Sequence, residues 1–271
     1  GMATRRISRI SGPDSQIYEY AYLPVPNLAG SYFLTNVRRP DGTSWNYAYN
    51  GNLGTAAGSY LMNQSTHPQG GSVSYGYAFV YFDSAANPYS RSTVVATKSS
   101  SPGGSWSFSY APGGAGIHDT TTVSTPSGTI VYKHIGPNYG GSGSVWKVGL
   151  LASKQIAGLQ TETYTWDKQP ISSENYFRPG AFVTKVDVGA TNAPILVKKE
   201  IVRSGATYTT SYSAFDNYGN PGSISETGTN GGSRNTNVTY YIDPAKWIIN
   251  QVRNETFAGG STTRNFDANG N

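Results

Sequence analysis

The sequence predicts an all-β protein: a curved or spiralling antiparallel sheet of repeated β-hairpins. Three observations carry that expectation, namely an internal repeat, alternating aromatic segments behind tight-turn signals, and a composition suited to sheets. Residues 30–49 and 58–77 are two copies of one unit, offset by 28 residues without a gap, with eight identities in twenty positions. A fixed internal period marks a stack of small units, none of which buries a core alone.

Each predicted strand has its own local justification. Tyr18, Tyr20 and Tyr22 alternate with Glu19 and Ala21, the period-two pattern of a half-buried strand. Trp45, Tyr47 and Tyr49 repeat it, as do Val73, Tyr75 and Tyr77, and then Trp106, Phe108 and Tyr110. A turn signal precedes each of the last three sets: Pro40-Asp41-Gly42, Pro68-Gln69-Gly70-Gly71 and Pro102-Gly103-Gly104. Proline presets φ and glycine supplies positive φ, so the unit reads strand, tight turn, aromatic strand. A fifth, weaker copy is Pro126-Ser127-Gly128 before Ile130, Val131 and Tyr132. Residues 1–135 thus form leading, degenerate hairpin repeats, 136–145 a glycine-rich loop, and 146–271 a second series of hairpins. In that series 146–156 and 161–167 resume strand character. Residues 246–252 have the length for two helical turns, but Trp247 and its isoleucines suit a strand, and a strand is expected.

Composition narrows the function classes. Charged residues are 13%, below the roughly 25% of an average soluble domain. Glycine (33) and tyrosine (21) are abundant, and this aromatic excess argues against disorder. With no cysteine there is neither a disulfide nor a thiolate metal site. The net charge of +5 is scattered; Arg5, Arg6 and Arg9, then Lys198 and Lys199, are its densest places. Nucleic-acid binders concentrate charge on one face, so a solvated basic surface is expected and no nucleic-acid partner. No segment approaches the ~20 apolar residues of a membrane helix. The N-terminus lacks the apolar core of a signal peptide, but Gly1 before Met2 has the look of a protease-cleavage remnant.

Catalytic candidates are few. His67 falls in a predicted turn and His134 at a strand end, leaving His118-Asp119 as the one acid–base or metal pair. Adjacent strand residues point to opposite faces, so these two do not converge on a ligand. Asp41, Asp216 and Asp267 are explained by turn chemistry; Glu162, Asp167, Glu200 and Glu226 have no recognisable partner for a glycosidase pair. Neither a nucleophile elbow nor a phosphate-binding loop is present. No catalytic, cofactor-binding or metal residue is assigned, and no cofactor is expected. Trp45, Trp106, Trp146, Trp166 and Trp247 are candidates for stacking on sugar rings, with filling of the sheet's covered face as the alternative.

The repeat is clearest near the end. Phe215, Asp216, Gly219 and Asn220 recur at an offset of 51 as Phe266, Asp267, Gly270 and Asn271. The expected device is a hairpin in which the aromatic packs inward, Asp folds back on backbone N–H groups and Gly closes the turn. Because the chain stops inside this motif, it is expected to be a fragment of a longer repeat protein.

At these residues the chain resembles the RHS/YD-repeat family, whose signature is a Tyr-Asp hairpin. Residues 264–271 (RNFDANGN) match its core with Phe for Tyr, residues 212–220 match with wider spacing, and Tyr240-Tyr241-Ile242-Asp243 is a looser copy. The resemblance implies a YD-repeat shell segment, a wall of hairpins that encloses or presents a C-terminal toxin or effector. It further implies export, to an extracellular or cell-envelope location, and no catalysis. Asp243-Pro244 matches the family's autoproteolytic core only in part, lacking its glycine, and cleavage is not carried over. The expected partners are the remainder of the parent chain or its effector, and another copy through uncovered sheet edges. A carbohydrate- or cell-surface-binding β-module is the alternative reading.

Overall fold

The structure, a computed structural model, describes residues 6–50, 59–81, 91–140, 142–172, 176–177, 186–187, 191–229, 231–267 and 270. Among the described residues it is all-β, with short 3-10 turns at Pro13–Ser15, Ser142–Lys147 and Pro244–Lys246 and no α-helix. Eighteen strands belong to antiparallel sheet that does not close on itself. The chain divides into two units, Gly1–Pro112 with Thr121–Ile130, and Gly113–Thr120 with Val131–Asn271.

The first unit is a meander in which every strand pairs with the one before it. Its strands are β1 (Arg9–Ser11), β2 (Ile17–Pro24), β3 (Tyr32–Arg38), β4 (Ser44–Tyr49), β5 (Met62–Thr66), β6 (Ser72–Tyr81), β7 (Arg91–Ser101) and β8 (Gly104–Ala111). The two turns of the internal repeat are built alike. Arg39 N–H donates to the Thr43 carbonyl and Gly42 N–H to that of Arg39; His67 and Gly70 do the same to Gly71 and His67. Gly42 and Gly70 have φ of +81° and +94°, the left-handed region that the sequence assigns to them.

Strands β9 (Asp119–Thr125) and β10 (Gly128–His134) pair with each other, and their residues are divided between the units. The second unit then continues through β11 (Leu151–Ile156) and β12 (Gln160–Ser172). A separate two-stranded ribbon of β13 (Tyr176–Phe177) and β14 (Val186–Asp187) follows in the chain. The meander resumes with β15 (Thr191–Arg203), β16 (Ala206–Phe215), β17 (Pro221–Gly228), β18 (Ser233–Asp243), β19 (Ile248–Phe257) and β20 (Gly260–Thr263).

Alternation is as the sequence predicts. In β8, Trp106, Phe108 and Tyr110 are half-buried while Ser105, Ser107 and Ser109 are exposed. Covering is slight, however: the buried apolar side chains among the described residues are Val25, Ile135 and Val238. Aromatic rings shield one another along the sheet, as where Phe33 stacks on Tyr49 at 4.4 Å between centroids.

One device recurs that the period foreshadows. The strand register slips between Ala21 and Tyr22, Ala48 and Tyr49, Gly76 and Tyr77, Thr165 and Trp166, and Thr239 and Tyr240. In each, the facing strand carries one extra residue (Thr35, Asn63, Ala96, Val197 or Arg253), a β-bulge set opposite the step to the second residue named. That second residue is aromatic in all five, and in four of them its polar tip reaches back to an earlier carbonyl; two further slips, between Pro170 and Ser172 and between Tyr241 and Asp243, are not followed by an aromatic. Tyr22 Oη donates to Ile7 at 2.9 Å, Tyr77 Oη to Met62 at 2.5 Å, Trp166 Nε1 to Leu151 at 2.8 Å and Tyr240 Oη to Pro221 at 3.1 Å. Tyr49 stacks on Phe33 instead, and Tyr110 Oη bonds the Val95 carbonyl at 2.9 Å.

Two strand expectations shift. Residues 246–252 do not form one strand: Pro244 ends the β18 ladder, Pro244–Lys246 make a 3-10 turn, and Trp247 takes φ +58° before β19 starts at Ile248. Proline lacks the N–H that a ladder requires. Likewise the strand expected from 146 starts at Leu151, because Ser142–Lys147 coil into a 3-10 turn first.

Candidate functional site

The motif residues form the turn that their chemistry implies. Asp216 Oδ1 accepts the N–H groups of Tyr218 (2.8 Å) and Asn220 (2.9 Å), while Oδ2 accepts the Asn220 side-chain amide (2.8 Å). Asn220 Nδ2 also donates to the Ile249 carbonyl at 2.6 Å, and Gln169 Nε2 to that of Asp216. Gly219 has φ +82° and seats against Gln169 and Ile195. The later copy shares the glycine and a glutamine contact, the latter at a different carbonyl. Gly270 has φ +81° and donates to the Asp267 carbonyl, and Gln251 Nε2 bonds the Gly270 carbonyl at 2.6 Å. Ile248 takes the place of Ile195: a Cβ on Gly270 would lie 2.7 Å from its Cδ1. Phe215 pairs with Pro221, and the Phe266 ring meets Tyr241 at 5.4 Å. Arg5 and Asn271 lie outside the described residues.

The densest polar cluster centres on Glu162. In β12, Glu162, Tyr164 and Trp166 occupy the alternating register that Trp106, Phe108 and Tyr110 fill in β8, so a carboxylate stands where an aromatic is the rule. Its side chain is 7% exposed. It accepts Lys199 Nζ at 2.8 Å, Tyr164 Oη at 2.6 Å and Gln160 Nε2 at 2.8 Å, with Lys154 Nζ at 3.5 Å. Burial pushes the Glu162 carboxyl up, but the bonds from Lys199, Tyr164 and Gln160 outweigh it and hold the pKa at about 2. Burial and the bond to Glu162 push the Tyr164 phenol up to about 12. Sequence reading assigned Glu162 no partner, since its lysines come from β11 and β15.

Other carboxylates are also engaged by neighbours. Glu19 pairs with Arg38, Glu200 with Lys198 and Glu226 with Arg234. Asp41 accepts the N–H and hydroxyl of Thr43, which lower its pKa. Asp167 takes the Lys168 N–H at 2.8 Å.

His67 belongs to the first unit, His118 and His134 to the second. The His67 ring lies edge-on to Trp45 at 4.2 Å, and its Nδ1 accepts the Gln69 N–H. His118 stacks on Tyr139 at 4.4 Å, whereas Asp119 turns to the Gly113 N–H at 2.6 Å. Desolvation lowers the pKa of both His118 and His134. Among the described residues no three His, Cys, Asp or Glu side chains gather as a metal site.

Nor do the tryptophans gather within either unit. Trp45 stacks beside Tyr47 and Trp106 lies under Lys98 Nζ at 4.8 Å. Trp146 lies near Lys147 Nζ, Trp166 is anchored to Leu151, and Trp247 is 76% exposed at its turn. No family model matches the sequence, and no curated protein matches it.

Proposed function

We propose that this chain is a non-enzymatic structural segment of a larger exported YD-repeat-type protein, a stretch of β-wall that encloses or presents a C-terminal effector. The observation that carries the reading is the twice-built Phe-Asp-x-x-Gly turn. In the first copy the polar groups of Asp216 and Asn220 bind the turn itself and the neighbouring strand, and in both copies a glutamine holds a carbonyl of the turn, that of Asp216 in one and of Gly270 in the other. Engaged carboxylates elsewhere support the same view: acids committed to lysines, arginines and turn amides are not poised for acid–base work. A wall needs regular, self-satisfied hairpins and no reactive centre, and the recurring bulge anchors supply that regularity.

Protease protection tests it. The parent protein, containing this segment and whatever follows it, would be digested before and after Asp216→Ala and Asp267→Ala are introduced together. The wall reading expects the following segment to be shielded in the intact protein and cut once the turns are opened. A following segment cut equally in both forms would overturn it.

A further inference from the structure

We propose that the face of the second unit around Tyr208 is a binding groove for an acidic oligosaccharide, one bearing carboxylate or sulfate groups. The inference rests on this groove alone and is independent of the wall reading. Directly paired residues of neighbouring strands share a face. The ladder therefore places Lys154, Glu162, Ile201, Tyr208 and Gly228 in one row across five strands. Tyr164, Lys199, Thr210, Glu226 and Arg234 form the next row, and Gln160, Arg203 and Ala206 the row on the other side.

Tyr208 is 51% exposed, an unusual position for a ring on a face whose aromatics are otherwise half-buried. It can stand out because its cross-strand partner is Gly228, where even a Cβ would touch the ring at 3.6 Å. A hollow of about 560 Å³ lies on one side, bordered by Thr210, Glu226 and Arg234. A second, of about 480 Å³, lies on the other, bordered by Gln160, Ile201 and Arg203. A flat ring between two polar-edged hollows suits the apolar face of a sugar, with hydroxyls reaching side chains to either side.

The charge decides the class of sugar. The three rows hold four cations, Lys154, Lys199, Arg203 and Arg234, against the two carboxylates Glu162 and Glu226. Those carboxylates engage Lys154, Lys199 and Arg234, and Arg203 is in none of these pairs. Arg203 is exposed beside the ring, and a guanidinium fork matches a carboxylate or sulfate in two-point geometry.

The test is calorimetric titration of the whole chain with a galacturonic acid oligosaccharide and with a neutral galactose oligosaccharide of equal length. The acidic probe is expected to bind more tightly, and less so as salt is raised. Tyr208→Ala should weaken the acidic probe about tenfold, the worth of one stacked ring, while Tyr208→Phe keeps it. Arg203→Gln should bring the acidic probe down to the neutral one, and Arg9→Gln, the same charge change in the first unit, should do nothing. Far-UV circular dichroism verifies that each variant is folded. No binding of the acidic probe overturns the proposal, as does wild-type affinity in Tyr208→Ala. Equal losses in Arg203→Gln and Arg9→Gln also overturn it, since they would mean diffuse charge attraction.

Discussion

Asp216 shows how one carboxylate fixes a hairpin. It satisfies two backbone N–H groups and the Asn220 amide, which in turn bonds the next strand at Ile249. Asp216→Ala strands all three donors and is expected to cost about 1–2 kcal/mol, read as a lowered urea midpoint by circular dichroism. Asp41→Ala, at an exposed turn, should shift that midpoint less. This device was legible in the sequence because it is local: Asp, the turn amides and Gly219 lie within four residues. The glutamine clasp was not, since Gln169 is 47 residues from Asp216 and Gln251 is 19 from Gly270. Nothing in the local pattern marks either glutamine.

At the scale of strands, the cross-strand cluster on β11, β12 and β15 sets an acid limit. The folded-state pKa of Glu162, about 2, lies below its ordinary value of 4.5. Its contribution is therefore present above pH 4.5 and is lost as pH falls towards 2. Glu162→Gln should lower stability at neutral pH and flatten the decline between those values; equal acid slopes in both proteins would refute the assignment. The alternating strands themselves were readable from period-two aromatics. The bulges were harder, because register is a relation between strands. A signal was nevertheless present, for a small or β-branched residue, Ala21, Ala48, Gly76, Thr165 or Thr239, stands before each aromatic that lies across from one of these five bulges. Trp247 was misread as strand because propensity outweighed the preceding Asp243-Pro244, a stronger breaker.

For the molecule as a whole, the scarcity of buried side chains matters most. Val25, Ile135 and Val238 are the buried apolar residues described, and no described side chain falls below 2% exposure. The urea dependence of stability scales with the surface newly exposed on unfolding. The m-value of this 271-residue chain should therefore fall below that of a well-packed domain of equal length. A full-sized m-value for the monomer, with its state verified by light scattering, would contradict that. The all-β class was legible throughout, since repeats, turns and alternation agree. The thinness of the core was not, because a half-buried tyrosine and a fully covered one look alike in a sequence.

The aromatic anchors carry a consequence for biosynthesis. Tyr22, Tyr77, Tyr110 and Trp166 each fasten to a carbonyl 15 residues upstream, and Tyr240 to one 19 upstream. Every such fastening is made to chain that has already been synthesised. Hairpins can thus lock in sequence as they leave the ribosome, each one able to close on chain that emerged before it without waiting for its successor.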